Sequence, residues 1–139
     1  MVGHDRRQQM YERMCLEHGV AGQVEFKGGS LDPSHWLRQA GALVLPTRYD
    51  PSANVVLESM ACGVPPVTTA TDGASEVVPM PWMIVDDPTD ARAVARALRR
   101  ALTEPGLGSR CREEAEKWTH HRSFSEFAQV LESACREVE

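Results

Sequence analysis

The sequence predicts a doubly wound parallel α/β sheet with helices on both faces, a three-layer α/β/α domain. Three observations predict it. The apolar run "ALVLP" at 42–46 is continuous rather than alternating, the mark of a strand covered on both faces, and "VTTA" at 67–70 and "WMIV" at 82–85 read as further short strands. Between and after them, apolar residues recur at helical spacing. At 139 residues the chain is long enough for one domain with a real core and too short for two ordinary ones.

Each element follows in order. Residues 5–18 read as a helix, with Asp5 as N-cap, Met10, Tyr11 and Met14 on one face and Gly19 as the stop. "QVEF" (23–26) alternates like a short strand, broken by Gly28–Gly29. Asp32 caps a short helix with Pro33 at its first position. After the strand at 42–46, "NVVLESMAC" (54–62) has helical length and ends at Gly63. Pro66 suits only the start of the next strand. The last third is helical: Ala91, Val94, Ala95, Leu98, Ala101 and Leu102 share a face, "SRCREEAEKW" (109–118) is more polar, and Phe124, Phe127, Leu131 and Val138 belong to a last apolar face. Asp86 and Asp87, ahead of Pro88, are expected to cap the helix that follows them.

Composition excludes several functions. The formal charge of −5 argues against general affinity for nucleic acid or an anionic membrane, and "RALRR" (96–100) reads as the wet side of a helix. No apolar run reaches the roughly 18 residues needed to span a bilayer. Cys15, Cys62, Cys111 and Cys135 form no C-x-x-C pair, and the five histidines lack metal spacing, with His120–His121 expected near a helix boundary. Free thiols suit a reducing compartment, so the cytoplasm is the expectation. No metal or cofactor is implied.

A parallel sheet binds ligands beyond the carboxyl ends of its strands, which points to the loops after Phe26, Pro46 and Ala70. The second loop leads into the helix near Ser52–Asn54. A helix start carries unpartnered N–H groups and partial positive charge, suited to phosphate. Ser52 and Ala53 are small enough for close approach. Glu58 sits one turn into the helix, where a carboxylate can accept the paired hydroxyls of a ribose, and Asp50 precedes it. The pattern suggests a nucleotide-sugar. Equally, Asp50 reads as a plain cap or dipole partner, and Glu58 as an exposed helix residue.

The stretch "LPTRYDPSANVVLESMACGVPPVTTATDGASEVV" (45–78) resembles the signature of the retaining, nucleotide-sugar-dependent glycosyltransferases of family 4 (group 1), which have the two-domain GT-B fold. Their pattern is a strand ending in L-P, then E-x(7)-E, A-M-A-x-G-x-P-V-V-x-T and G-G-x-x-E. Here Asp50 replaces the first Glu, Glu58 is the second, Asp72–Gly73 stands for the two glycines and Glu76 takes the last acid's place. "VG…YERMCLEHGVAGQVEFKGG" resembles the region before it, so the likeness covers nearly the whole chain. It implies the Rossmann-like C-terminal half of GT-B, with Asp50 at the donor sugar as the catalytic candidate and Glu58 on the ribose. Backbone N–H groups of Ala53, Asn54 and Val55 would hold the distal phosphate. Lys27 and Gly28 would line the base pocket, and Gly3 and His4 would end the first strand at the cleft. Thr68, Thr69 and Glu76 are expected to be structural. The donor would be a UDP- or GDP-linked hexose, and the acceptor a hydroxyl.

The resemblance also implies what is expected to lie elsewhere: the acceptor-binding half, the start of the first strand, and an Arg and a Lys that the family sets against the diphosphate. Fixed cations stabilise a leaving diphosphate, and a helix start supplies only about 0.3–2 kcal/mol. The chain alone is therefore expected to bind donor without turnover, as part of a longer protein, a truncated product or one half of a split enzyme. Its C-terminal helix would then seek another partner, the acceptor half or a second copy of the chain. The rival reading is a non-catalytic nucleotide-sugar-binding or partner-binding fragment.

Overall fold

The computed structural model describes residues 1–3 and 5–136, and of His120 and His121 the backbone alone. His4 and Val138, named above, lie outside the described residues. The chain forms two compact units, Met1–Trp36 and a larger one beginning at Leu37.

In the first unit, α1 spans Gln8–Glu17. Asp5 is not its cap: the Asp5 carboxylate accepts the Arg7 N–H at 2.7 Å, closing a turn ahead of the helix, and Arg7 holds the N-cap position without a side-chain bond. Gly19, at φ +67°, ends the helix as expected. The strand expected at 23–26 is not formed. A 3₁₀ turn takes Ala21–Gln23, and the segment after it pairs with the first residues only briefly. Lys27 N–H donates to Met1 O at 2.8 Å, Gly3 N–H to Gly28 O at 2.8 Å, and the Met1 amino group to Glu25 O. Gly28, at φ +67°, turns the chain away before a regular ladder develops. α2 (Pro33–Leu37) follows Asp32, whose Oδ1 accepts the His35 N–H at 3.3 Å, the expected cap.

The second unit is built on a three-stranded parallel sheet, β1 (Leu43–Val44), β2 (Pro66–Thr69) and β3 (Ile84–Val85), in the order β1-β2-β3. Leu43 pairs with Pro66 and Val44 with Val67; Thr68 pairs with Ile84 and Thr69 with Val85. Pro66 opens β2, where its missing N–H costs least. Every residue of β2 is buried, but Val44 of β1 is 37% exposed. The burial on both faces expected of the strand at 42–46 is therefore not found in β1, where Leu43 is half-buried and Val44 exposed.

α3 (Asn54–Ala61) packs on β2 and on α5 (Leu107–Ala115). α3 and α5 approach so closely that a Cβ on Gly108 would lie 2.5 Å from Gly63 O. Val56, Met60, Val67, Met83, Leu107 and Cys111 form the centre of the core. Each large apolar side chain buried there contributes about 1.5–3 kcal/mol.

α4 (Ala91–Thr103) packs on β2, β3 and the 3₁₀ turn Pro81–Met83, which occupies the start of the strand expected at 82–85. Its cap is Asp90, which accepts the Arg92 and Ala93 N–H groups at 2.9 Å. Asp87 instead binds Thr89 through its N–H and hydroxyl, so the Asp86–Asp87 pair closes the preceding turn, a correction to the expected cap. Arg96, Arg99 and Arg100 lie on the wet face as expected; Arg100 stacks 4.3 Å from the Trp82 ring and pairs with Glu104 at 3.1 Å. α6 (His120–Arg136) exposes Phe124, Phe127, Val130 and Leu131.

Candidate functional site

The carboxyl ends of β1 and β2 are tied together by one further parallel bridge between Asp50 and Asp72. Asp50 N–H donates to Thr71 O at 3.2 Å, and Gly73 N–H to Asp50 O at 2.9 Å. The approach is tight enough to require glycine: a Cβ on Gly73 would lie 1.9 Å from Pro51 O. Three hydroxyls brace the same end. Thr69 and Thr71 donate to Thr47 O at 2.6 and 3.0 Å, and Thr68 donates to the Asp72 carboxylate at 2.6 Å. Thr68 and Thr69 are buried and structural, as expected; Glu76 is exposed in the following 3₁₀ turn, Gly73–Val77.

On this base sits the segment leading into α3. Asp50 is half-buried; its Oδ1 accepts the Ser52 N–H at 3.0 Å, and its Oδ2 has no partner among the described residues. Ser52 is exposed, while Ala53 is buried and fills the N-cap position of α3 without any side-chain cap. The N–H groups of Asn54 and Val55 find no acceptor among the described residues. Asn54 and Glu58, four residues apart, share one exposed face of α3, and the Glu58 carboxylate has no hydrogen-bond or ion-pair partner among the described residues.

One expected donor is otherwise engaged. Ala53 N–H donates to Asp72 Oδ1 at 3.2 Å, so it is not open to a ligand. Asp72 is 1% exposed, and the same oxygen also accepts the Ala74 N–H at 2.9 Å. In the sequence, Asp72 is visible only as the residue standing for the first of two glycines. Its four-residue spacing from Thr68 was the one local signal; nothing local connects it to Ala53, nineteen positions earlier.

The structure thus brings Asp50, Ser52, Ala53, Asn54, Val55 and Glu58 to one end of the second unit. Gly3, Lys27 and Gly28 lie in the first unit. There Lys27 Nζ contacts Glu25 at 2.6 Å and stands 5.1 Å from the Trp36 ring, and Gly3 helps line a cavity of about 290 Å³ with Asp5, Tyr11 and Phe26. Among the described residues no group of three or more His, Cys, Asp or Glu is placed to hold a metal ion. No described helix is long and apolar enough to cross a membrane.

The three-stranded parallel sheet and its flanking helices match the C-terminal Rossmann-like half of the GT-B fold. The solved structure of Anabaena HepE in complex with UDP and glucose superposes on 95% of this chain and 39% of its own, with a TM-score of 0.80 at 19% identity. Residues 1–118 match the family described as Glycosyl transferases group 1, and the chain belongs to that family. The lipopolysaccharide core biosynthesis glycosyltransferase LpsE of Rhizobium meliloti (strain 1021) is 27% identical over 124 residues, 84% of this chain and 35% of LpsE. The lipopolysaccharide glucosyltransferase WaaG of Escherichia coli (strain K12) is 27% identical over 120 residues, 85% of this chain and 32% of WaaG. The solved structure of WaaG gives a TM-score of 0.66 at 28% identity, over 82% of this chain and 31% of its own. The chain thus spans about a third of the length of these relatives.

Proposed function

We propose that this chain binds a nucleoside diphosphate sugar at the carboxyl end of its sheet, as the donor-binding part of an enzyme that transfers a hexose to a hydroxyl acceptor. The observation that carries the reading is the open arrangement at the start of α3. Two unpaired backbone N–H donors lie between two acids, each with an oxygen free to accept. Asn54 and Val55 hold the distal phosphate, and Ser52 and Ala53 let it come close. Glu58 accepts the ribose hydroxyls and Asp50 the hydroxyls of the sugar. HepE, whose structure contains UDP and glucose, makes UDP the first probe to try.

Calorimetric titration with UDP, GDP and ADP tests this. At least one binds, and Glu58→Gln weakens it by roughly ten- to a hundredfold, the worth of a charge-assisted hydrogen bond of about 1.5–3 kcal/mol. Failure of all three to bind overturns the reading. We propose also that the chain alone does not turn donor over; transfer or donor hydrolysis by the purified chain refutes that part.

A second reading, a non-catalytic partner-binding module, is favoured by α6, where Phe124 and Phe127 are 72% and 61% exposed. The acceptor half or a second copy of the chain is the partner considered. This reading predicts no nucleotide binding and, with a second copy as the partner, self-association by light scattering that Phe124→Ser with Phe127→Ser abolishes.

A further inference from the structure

Asp72 is a carboxylate buried at the floor of the candidate site. It has three donors around it: the N–H groups of Ala53 and Ala74 on Oδ1, at 3.2 and 2.9 Å, and the Thr68 hydroxyl on Oδ2, at 2.6 Å. No cation pairs with it among the described residues. Its charge is therefore spread over neutral dipoles and is left uncancelled in a poorly screened place.

Ala53 immediately precedes Asn54 and Val55, whose N–H groups are the ones open to a ligand. A phosphate accepting from those two would stand roughly 6–8 Å from the Asp72 carboxylate, one hydrogen bond and one or two residues further along. Resting on the donor-site reading above, we infer that Asp72 is a specificity residue: a fixed anion under the phosphate position that disfavours the free nucleoside diphosphate relative to the intact nucleotide sugar. The difference between the two ligands is one of charge. In the nucleotide sugar the distal phosphate is substituted twice, by the sugar ester and by the phosphoanhydride, and carries one negative charge. In the free diphosphate it is a terminal group that takes up to one charge more near neutral pH, its second ionisation falling near 6. A like charge beneath the site acts on that difference. The consequence is a donor site that lets go of its product more readily than geometry alone dictates.

Asparagine isolates the charge from the scaffold. Both N–H bonds go to Oδ1, which an amide oxygen replaces. The Thr68 hydroxyl already lies 3.3 Å from Leu45 O, so it can give its hydrogen there and accept from the new amide. Asp72→Asn thus keeps the bonds and removes the charge. Asp72→Gly removes the charge and also frees the Ala53 N–H, and the backbone at φ −96°, ψ 121° suits either residue.

The experiment compares Kd for UDP with Kd for UDP-glucose in the wild-type chain and in both variants, at pH 7.5 and low salt. The ratio Kd(UDP)/Kd(UDP-glucose) is expected to fall at least roughly fivefold in Asp72→Asn, a lower bound for one added charge at this distance in an effective dielectric of about 20–40. Asp72→Gly must move the ratio the same way, and serves alone if the Asn variant does not fold. A merely structural residue would weaken both ligands together and leave the ratio unmoved. Wild-type binding that is sensitive to Glu58→Gln, with an unmoved ratio in the Asp72 variants, overturns this inference and leaves the donor site standing. No binding of either ligand to the wild type overturns both.

Discussion

α3 and α4 both follow a strand of the same parallel sheet, yet their first turns are finished in opposite ways. α4 begins with Asp90, whose carboxylate takes the Arg92 and Ala93 N–H groups, so its own sequence closes its end. α3 begins with Ala53, which has no side chain to cap anything. The one bond holding that residue's N–H comes from Asp72, across the end of the sheet, and Asn54 and Val55 remain open. A helix that needs only to be stable is capped by a neighbour in sequence. The start of α3 is anchored from one side by a distant residue, which leaves its next two N–H groups without an acceptor among the described residues. The two ends sit on the same sheet, so what separates them is the choice of residue ahead of the helix, not the architecture.

The contrast breaks most completely at Gly73. A side chain there would meet Pro51 O at 1.9 Å, so Gly73→Ala must push the segment before α3 off the sheet. The expected loss is about 3 kcal/mol, at the upper end for overpacking, read as a drop in the thermal midpoint by circular dichroism. Nucleotide binding should disappear with it; a variant of unchanged midpoint contradicts the contact. Next comes the separation of binding from stability. Glu58→Gln leaves the midpoint within the range of ordinary surface substitutions, about 0.5 kcal/mol, while UDP binding falls at least roughly tenfold. Asp90→Ala does the reverse: it loses about 1 kcal/mol of stability with the helix cap and leaves UDP affinity unchanged. If Asp90→Ala weakened UDP as Glu58→Gln does, the two helix starts would not differ in function.

The smallest effect concerns how firmly α3 is seated. Cys111 lies in α5, which packs on α3, and burial pushes its thiol up to about 11 from 9.0. In native protein at pH 8, a thiol reagent should modify exposed Cys135 first and Cys111 only on unfolding, as followed by peptide mass. Because the unfolded chain releases that proton more easily, the thiol's contribution to stability is intact below pH 9 and declines as pH rises from 9.0 toward 11. Early labelling of Cys111 would mean that α3 and α5 part readily.

Much was written locally. The helix at 54–61, its stop at Gly63, the strand start at Pro66 and the cap at Asp32 each follow from the preferences of a few adjacent residues. Caps near turns with several acids were less legible: Asp5 and the Asp86–Asp87 pair were each assigned to a helix and in fact close the turn before it. Several acids compete for the same donors there, and which one wins depends on the turn's dihedral angles.

By itself, then, the sequence determined the parallel α/β class, most of its helices and the family, since apolar period and motif spacing are properties of neighbouring residues. Tertiary structure alone decided that β1 lies at an edge and β2 at the centre, that 23–26 forms no strand, and that Asp72 is buried against Ala53. The reason is range. Strand position and the partners of a buried carboxylate are set by contacts between residues far apart along the chain, and no local preference encodes which of them will meet.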